Sequence, residues 1–166
     1  MKLRAAFFLL GVFGRLFGSE PKDPFVFIDD YLSRWDRFAQ GDNSLVPFLR
    51  ENTPKFEEAL AVALSAGDKR APSRVVFYAV VQVGGFIDID SRLGLEVSKV
   101  FGQLPVTKGK KGEKLIFAGD LYFWWKAKRG DYPAFSQYDE WEKSDFAREV
   151  PIPMYEKIHA QPKKEG

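Results

Sequence analysis

The sequence predicts a mostly α, single-domain bundle of about six or seven helices. Apolar residues recur at spacings of three and four along most of the chain, and residues that favour helix ends flank these stretches. The connections between them are short, as is typical of antiparallel helices. We place the domain at residues 19–160, with a flexible tail over 161–166. A small β element over residues 75–83 is the alternative that the pattern leaves open.

The composition is that of a folded domain, and it argues against a metal site and against a nucleic-acid partner. The 166 residues can bury a core unaided, and 45% apolar and 16% aromatic content excludes a disordered chain. The chain has no cysteine, which excludes disulfides, thiolate nucleophiles and Cys-ligated zinc. The single histidine, His159, gives little support for a His-based metal site or a Ser-His-Asp triad, so we expect no cofactor. The 25 basic and 23 acidic residues nearly balance, which argues against a nucleic-acid partner.

Residues 1–18 have the layout of a secretory signal peptide. A basic start precedes an apolar stretch from Ala5 to Phe13, and a small residue, Gly18, offers a cleavage position. The apolar stretch is shorter than the roughly 20 residues that span a bilayer. Cleavage would make the protein exported or periplasmic. An uncleaved segment would instead contact a membrane through residues 1–17 or form a buried first helix of a cytoplasmic chain.

The first helix of the domain is predicted to begin at Asp23-Pro24, because Asp is a good N-cap and Pro is favoured at the first helical position. Gly41 supplies its end. Five apolar residues fall on one face between these limits: Phe25, Ile28, Leu32, Trp35 and Ala39.

Two further helices are predicted in the next stretch. Asp42 can cap a short helix that runs through Leu49. Thr53-Pro54 repeats the arrangement of a cap followed by proline, so we expect a separate helix to start there and to end at Gly67.

The run Val75–Val83 contains one polar residue, Gln82, and must be buried on most sides. Its valines favour a strand by propensity. However, Pro72-Ser73 resembles a helix start, and no convincing partner strand exists elsewhere in the sequence. We therefore predict a buried helix, with a strand as the alternative.

The C-terminal third is predicted to be helical after a loop. Leu104–Lys114 is rich in proline, glycine and lysine, which is typical of a loop. A deeply packed helix follows from Leu115. Ser136 and Asp139 are a capping pair for the last regular helix, which Pro151 breaks.

Asp88 and Asp90 are the weak catalytic candidates. They alternate with isoleucines, so an extended segment would direct both carboxylates to one side, where they could share a divalent cation or act as an acid/base pair. Asp90 also has a simpler use as a helix cap beside Arg92, with Ser91 as the other capping residue. We interpret the pair first as structural, and we predict no metal site.

The basic loop is the first candidate binding segment. Its lysines lie among glycines that expose backbone N–H groups, but the segment lacks the spacing of a phosphate-binding P-loop. A solvated loop is the default, and the acidic patch of a partner protein is its best functional use. The candidate residues are Lys108, Lys110 and Lys111.

Aromatic residues of the C-terminal third are the second candidate binding group. Four consecutive aromatics, Tyr122–Trp125, cannot all face inward from a helix, so at least one ring is expected to be exposed or to cover a groove. Exposed Trp and Tyr are typical of protein interfaces. The candidates are Tyr122, Trp124, Trp125 and Trp141.

These observations favour a non-enzymatic protein-binding module, exported if the leader is cleaved, such as an inhibitor, an immunity-type antagonist or an accessory subunit. The expected partner is another protein. Two alternatives are a small metal-dependent hydrolase or transferase that uses Asp88 and Asp90, and a peripheral membrane protein held by its N-terminal segment. The sequence does not determine the oligomeric state.

Overall fold

The computed structural model describes residues 22–162. The predicted leader and the last residues of the tail lie outside this part. Within residues 22–162, seven α-helices of eight or more residues and one of five enclose a single core, which confirms the mostly α single domain. The helices are α1 (Pro24–Ala39), α2 (Val46–Ser65), α3 (Ala71–Val80), α4 (Arg92–Phe101), α5 (Ala118–Lys128), α6 (Ser136–Lys143), α7 (Asp145–Glu149) and α8 (Pro151–His159). Short 3-10 turns lie at Asn43–Leu45 and Arg129–Asp131.

Helix α1 begins and ends as predicted. The Asp23 side chain accepts a hydrogen bond from the Phe25 N–H at 3.1 Å, which satisfies one of the free donors of the first turn. Gly41 follows the helix with a φ of +106°, a backbone conformation that glycine adopts without strain. The buried face of α1 contains Phe25, Ile28, Tyr31 and Leu32.

The break predicted at Thr53-Pro54 is wrong, because α2 continues through both residues. Pro54 removes one backbone donor from the helix. Two neighbouring side chains hydrogen-bond to carbonyls of the preceding turn: Asn52 Nδ2 donates to Phe48 O at 2.8 Å, and the Thr53 hydroxyl donates to Leu49 O at 2.6 Å. The apolar face is continuous across the proline, and its packing keeps the two halves in one helix.

Helix α3 is the centre of the fold and contains most of the valine-rich run. Every residue from 71 to 80 except Tyr78 is buried, with α1, α2, α5 and α6 packed around it. The β alternative for residues 75–83 is therefore wrong. A helix bonds its own backbone groups, so it can be surrounded by other helices where a lone strand would leave them unpaired.

A small antiparallel sheet occupies a different place from the one considered. Its strands are β1 (Phe86–Asp88), β2 (Val106–Lys108) and β3 (Lys114–Phe117), in the spatial order β1-β3-β2. The predicted loop at Leu104–Lys114 therefore contains β2 and the turn of a hairpin, and residue 115 belongs to β3 instead of a helix. Ile87, Ile116 and Val106 lie opposite one another across the three strands.

Two predicted helix ends in the C-terminal third are also wrong. Ser136 is the first residue of α6 and Phe135 occupies the N-cap, with no side-chain capping bond. Pro151 begins α8 instead of ending the helical region, because the first helical turn needs no N–H from that residue.

Candidate functional site

The two weak catalytic candidates lie in a turn. Asp88 Oδ1 accepts the backbone N–H of Asp90 at 2.9 Å, and the Asp88 carbonyl accepts the Ser91 hydroxyl at 2.7 Å. Ser91 in turn caps α4 by accepting the Gly94 N–H at 2.9 Å. Within residues 22–162, no group of three or more His, Cys, Asp or Glu side chains could hold a metal ion. The Asp88 carboxylate therefore has a turn-forming role, and Ser91, not Asp90, is the cap.

The four consecutive aromatics of α5 belong to the core and its margin. Tyr122 and Trp125 are buried. Phe123 is stacked on His159 with 4.1 Å between ring centroids, and Trp124 contacts Phe101 at the same distance. None of the four is exposed, so the expectation of an exposed ring is wrong, and Phe123 and Trp124 are half-buried at the margin of the core.

The lysines of the basic loop lie on the β2–β3 hairpin. Lys108, Lys110 and Lys111 are exposed, and β3 of this hairpin leads directly into α5, the helix that contains Tyr122, Trp124 and Trp125. Of the aromatic candidates, only Trp141 borders the cavity described next.

A cleft of about 630 Å³ lies between the C-terminal half of α1 and helix α6. Val81, just after α3, lines it, and Phe146 of α7 contributes an exposed ring. The complete lining consists of Ser33, Asp36, Ala39, Gln40, Val81, Gln137, Glu140, Trp141, Ser144 and Phe146. This lining combines an apolar surface with two carboxylates, and none of the described residues that form it is basic.

The two carboxylates of the cleft differ in their surroundings. Asp36 is half-buried, and burial raises the pKa of its carboxyl above the ordinary value, while a hydrogen bond with Gln40 partly opposes this. Glu140 faces the same space from α6 and is exposed. A cation placed between them would favour the ionised form of Asp36 and offset its desolvation.

The wall around α6 also holds polar atoms without a partner. Among residues 22–162, the buried side-chain atoms that lack a hydrogen-bond partner are Trp125 Nε1, Gln137 Oε1, Tyr138 Oη and Trp141 Nε1. Gln137 and Trp141 line the cleft. An unpaired buried polar group costs about 1–3 kcal/mol, so a small rearrangement that gives these atoms partners would be favourable.

Sequence reasoning missed most of this site. The cleft joins residues about a hundred positions apart, and no local pattern connects them. One signal was present: Asp36 follows Leu32 by four residues, so it interrupts the apolar face of α1 with a carboxylate. A charged residue on a core-facing stripe is typical of either a buried pair or a site.

Comparison with known proteins places the chain in no family. No family model, no curated protein and no solved structure matches it. None of the helices within residues 22–162 combines the length and apolar character that crossing a membrane requires.

Proposed function

We propose that the protein is a non-enzymatic protein-binding module whose cleft receives a basic side chain of its partner. The observation that supports this most directly is the lining: Asp36 and Glu140 carry negative charge, Trp141 and Phe146 supply aromatic surface, and no described lining residue neutralises the carboxylates. A guanidinium or ammonium group pairs with carboxylates and packs favourably on aromatic rings.

The cleft is large enough to admit a side chain. Its volume lies within the range of small-molecule sites, about 300–1,000 Å³, so a side chain and the backbone that carries it have room to enter. Arginine matches the cleft better than lysine, because its planar guanidinium group donates two parallel hydrogen bonds to a carboxylate and stacks on aromatic rings.

A pair of matched probes tests this function. N-acetyl-arginine amide should shift the NMR signals of the Trp141 indole and the Gln137 amide, whereas N-acetyl-citrulline amide, which has a similar shape without charge, should not. The double variant Asp36→Asn/Glu140→Gln should bind the arginine probe about tenfold more weakly, equivalent to about 1.4 kcal/mol. The matched control is Glu149→Gln, an exposed acid outside the cleft lining.

Equal shifts from the citrulline probe would show that charge is not recognised and would contradict the proposal. So would an unchanged affinity in the double variant.

A further inference from the structure

The two outer strands of the sheet differ in how their free edges are covered. In the order β1-β3-β2, β1 and β2 each have one strand neighbour. The edge of β1 is closed by the start of α4: the Asp88 carbonyl accepts both the N–H and the hydroxyl of Ser91. Helix α4 approaches so closely that a Cβ atom on Gly94 would lie 1.9 Å from the Asp88 carbonyl oxygen. The Asp88 end of this edge is therefore not free to bind a further strand.

The edge of β2 is open within the described structure. All three of its residues are exposed. The hairpin hydrogen bond from Gly109 N–H to Glu113 O sets the alternation, so Thr107 bonds to Leu115, and the backbone groups of Val106 and Lys108 face away from β3. On the other side of β3, the Lys114 carbonyl accepts from Ile89, which agrees with this alternation. Val106 and Lys108 therefore present N–H and C=O groups in the geometry of a strand without a neighbour.

The charge around this edge is strongly positive. The segment from Val106 to Phe117 contains four lysines and one glutamate. The Glu113 carboxylate is engaged by the Lys111 backbone N–H at 3.0 Å. Lysines on an edge strand repel a second copy of the same strand, which prevents self-association, but they attract a strand that carries acidic residues.

We propose that β2 binds an extended acidic segment of another protein by strand addition, so that the sheet gains a fourth strand beside Val106 and Lys108. This surface is separate from the cleft, and the inference does not depend on the proposed function. Val106 and Lys108 lie on one face of the sheet, and Val106 is 47% exposed beside the buried Ile116. The partner strand places an apolar residue next to Val106 and an acidic residue next to Lys108, two positions apart.

The test uses the whole protein and an acetylated, amidated peptide with the repeat valine-threonine-glutamate-threonine, which places valine and glutamate two positions apart on one face. Amide hydrogen exchange, measured by NMR, should slow at Val106 and Lys108 when the peptide binds, because their N–H groups gain partners. It should change little at Thr107, whose N–H is already bonded within the hairpin. The same peptide N-methylated on alternate residues, which removes the donors of one edge, should bind at least tenfold more weakly.

Charge reversal tests the other half of the proposal. Lys108→Glu/Lys110→Glu/Lys111→Glu should lose binding of the acidic peptide and gain binding of the same peptide with lysine in place of glutamate. The control Arg50→Glu/Lys128→Glu/Lys143→Glu reverses three exposed basic residues outside the hairpin, gives the same net charge and should leave binding of the acidic peptide within about twofold.

Two outcomes would overturn strand addition. One is equal binding of the N-methylated peptide. The other is binding of inorganic triphosphate with the same dependence on the hairpin lysines, without slowed exchange at Val106 and Lys108, which would identify an anion patch only.

Discussion

Two aromatic clusters of this protein differ in whether the polar atoms of their side chains have hydrogen-bond partners. The N-terminal cluster lies between α1, α2 and α3, and each of its polar tips has a partner. The Tyr31 hydroxyl bonds Thr53 at 2.8 Å, the Trp35 indole donates to the Tyr78 carbonyl at 3.1 Å, and the Tyr78 hydroxyl donates to Glu57 at 3.0 Å. In the C-terminal cluster, Trp125, Tyr138 and Trp141 have buried polar tips with no partner among the described residues.

This difference separates a stabilising cluster from one that borders a site. A saturated network rigidifies the helices that contribute to it. An unsaturated one leaves favourable hydrogen bonds to be made when the surroundings change. The cleft lies beside the unsaturated cluster, and four changes test whether the comparison is correct.

The largest effect is expected in the N-terminal cluster. Phe56 is fully buried and stacks on Tyr31 with 4.0 Å between centroids, so Phe56→Ala should reduce the free energy of unfolding by about 3–5 kcal/mol. Chemical denaturation measures this. Phe146→Ala removes an exposed ring from the cleft and should change stability by less than about 0.5 kcal/mol. Similar losses in both variants would show that the cleft wall is as stabilising as the core.

The next largest effect concerns Arg74, which connects helix α1 to the segment just before α6. Its guanidinium bonds both oxygens of Asp29 at 2.8 and 2.9 Å and lies 3.8 Å from the Phe135 ring centroid, just before α6. Arg74→Met keeps most of the volume but leaves the Asp29 carboxylate unpaired.

We expect a loss of about 1–3 kcal/mol, below the value for a fully buried pair because the Asp29 side chain is 32% exposed. Arg34→Met, which breaks the exposed pair with Asp30, is the control and should cost less than about 0.5 kcal/mol. An Arg74→Met protein as stable as the wild type would exclude Arg74 as the connection.

Removing one hydroxyl from each cluster distinguishes a paired buried hydroxyl from an unpaired one. Tyr78→Phe loses the bond to Glu57 and should destabilise the protein by about 1 kcal/mol. Tyr138→Phe removes an unpaired buried hydroxyl and should be neutral or stabilising by up to about 1 kcal/mol. Thermal and chemical unfolding of both variants distinguishes them. A larger loss for Tyr138→Phe would mean that its hydroxyl has a partner, and the contrast between the clusters would fail.

The smallest effect is the pH dependence of Asp36. Burial raises the pKa of this carboxyl in the folded state above that in the unfolded chain. The folded state therefore holds the Asp36 proton more tightly than the unfolded chain does. The stability associated with this group is fully present below the unfolded pKa of about 3.9 and is lost as the pH rises through the folded pKa. Asp36→Asn should stabilise the protein at neutral pH by less than about 1 kcal/mol and have no such effect below that unfolded value.

Denaturation at neutral and acidic pH checks this, with the exposed Glu58→Gln as the control. The same titration predicts that the arginine probe binds more weakly as the pH falls through the Asp36 pKa. A stabilisation that persists unchanged in acid would contradict the assignment.

The sequence by itself determined the mostly α class, the limits of α1 and the burial of most of the valine-rich run, and it narrowed the cap of α4 to Asp90 or Ser91. These features depend on local patterns: cap residues satisfy free backbone groups near them in the chain, and apolar spacing selects one helix face. Where a local signal competed with packing, as at Thr53-Pro54, only the tertiary structure decided, because the continuous buried face of α2 outweighs one missing backbone donor. The hairpin was not predicted because its strands have only three and four residues and the turn between them is rich in glycine and lysine.

The sites depend on the tertiary structure for the same reason. Asp36 and Glu140 become neighbours of one cleft only when α6 packs against the helices that precede it, and β3 becomes the central strand only because β1, from an earlier segment, pairs with it on the side away from β2. The pattern of apolar residues in a segment shows which of its residues are buried, but not which other segment covers them. Contacts between distant segments therefore cannot be predicted from such patterns.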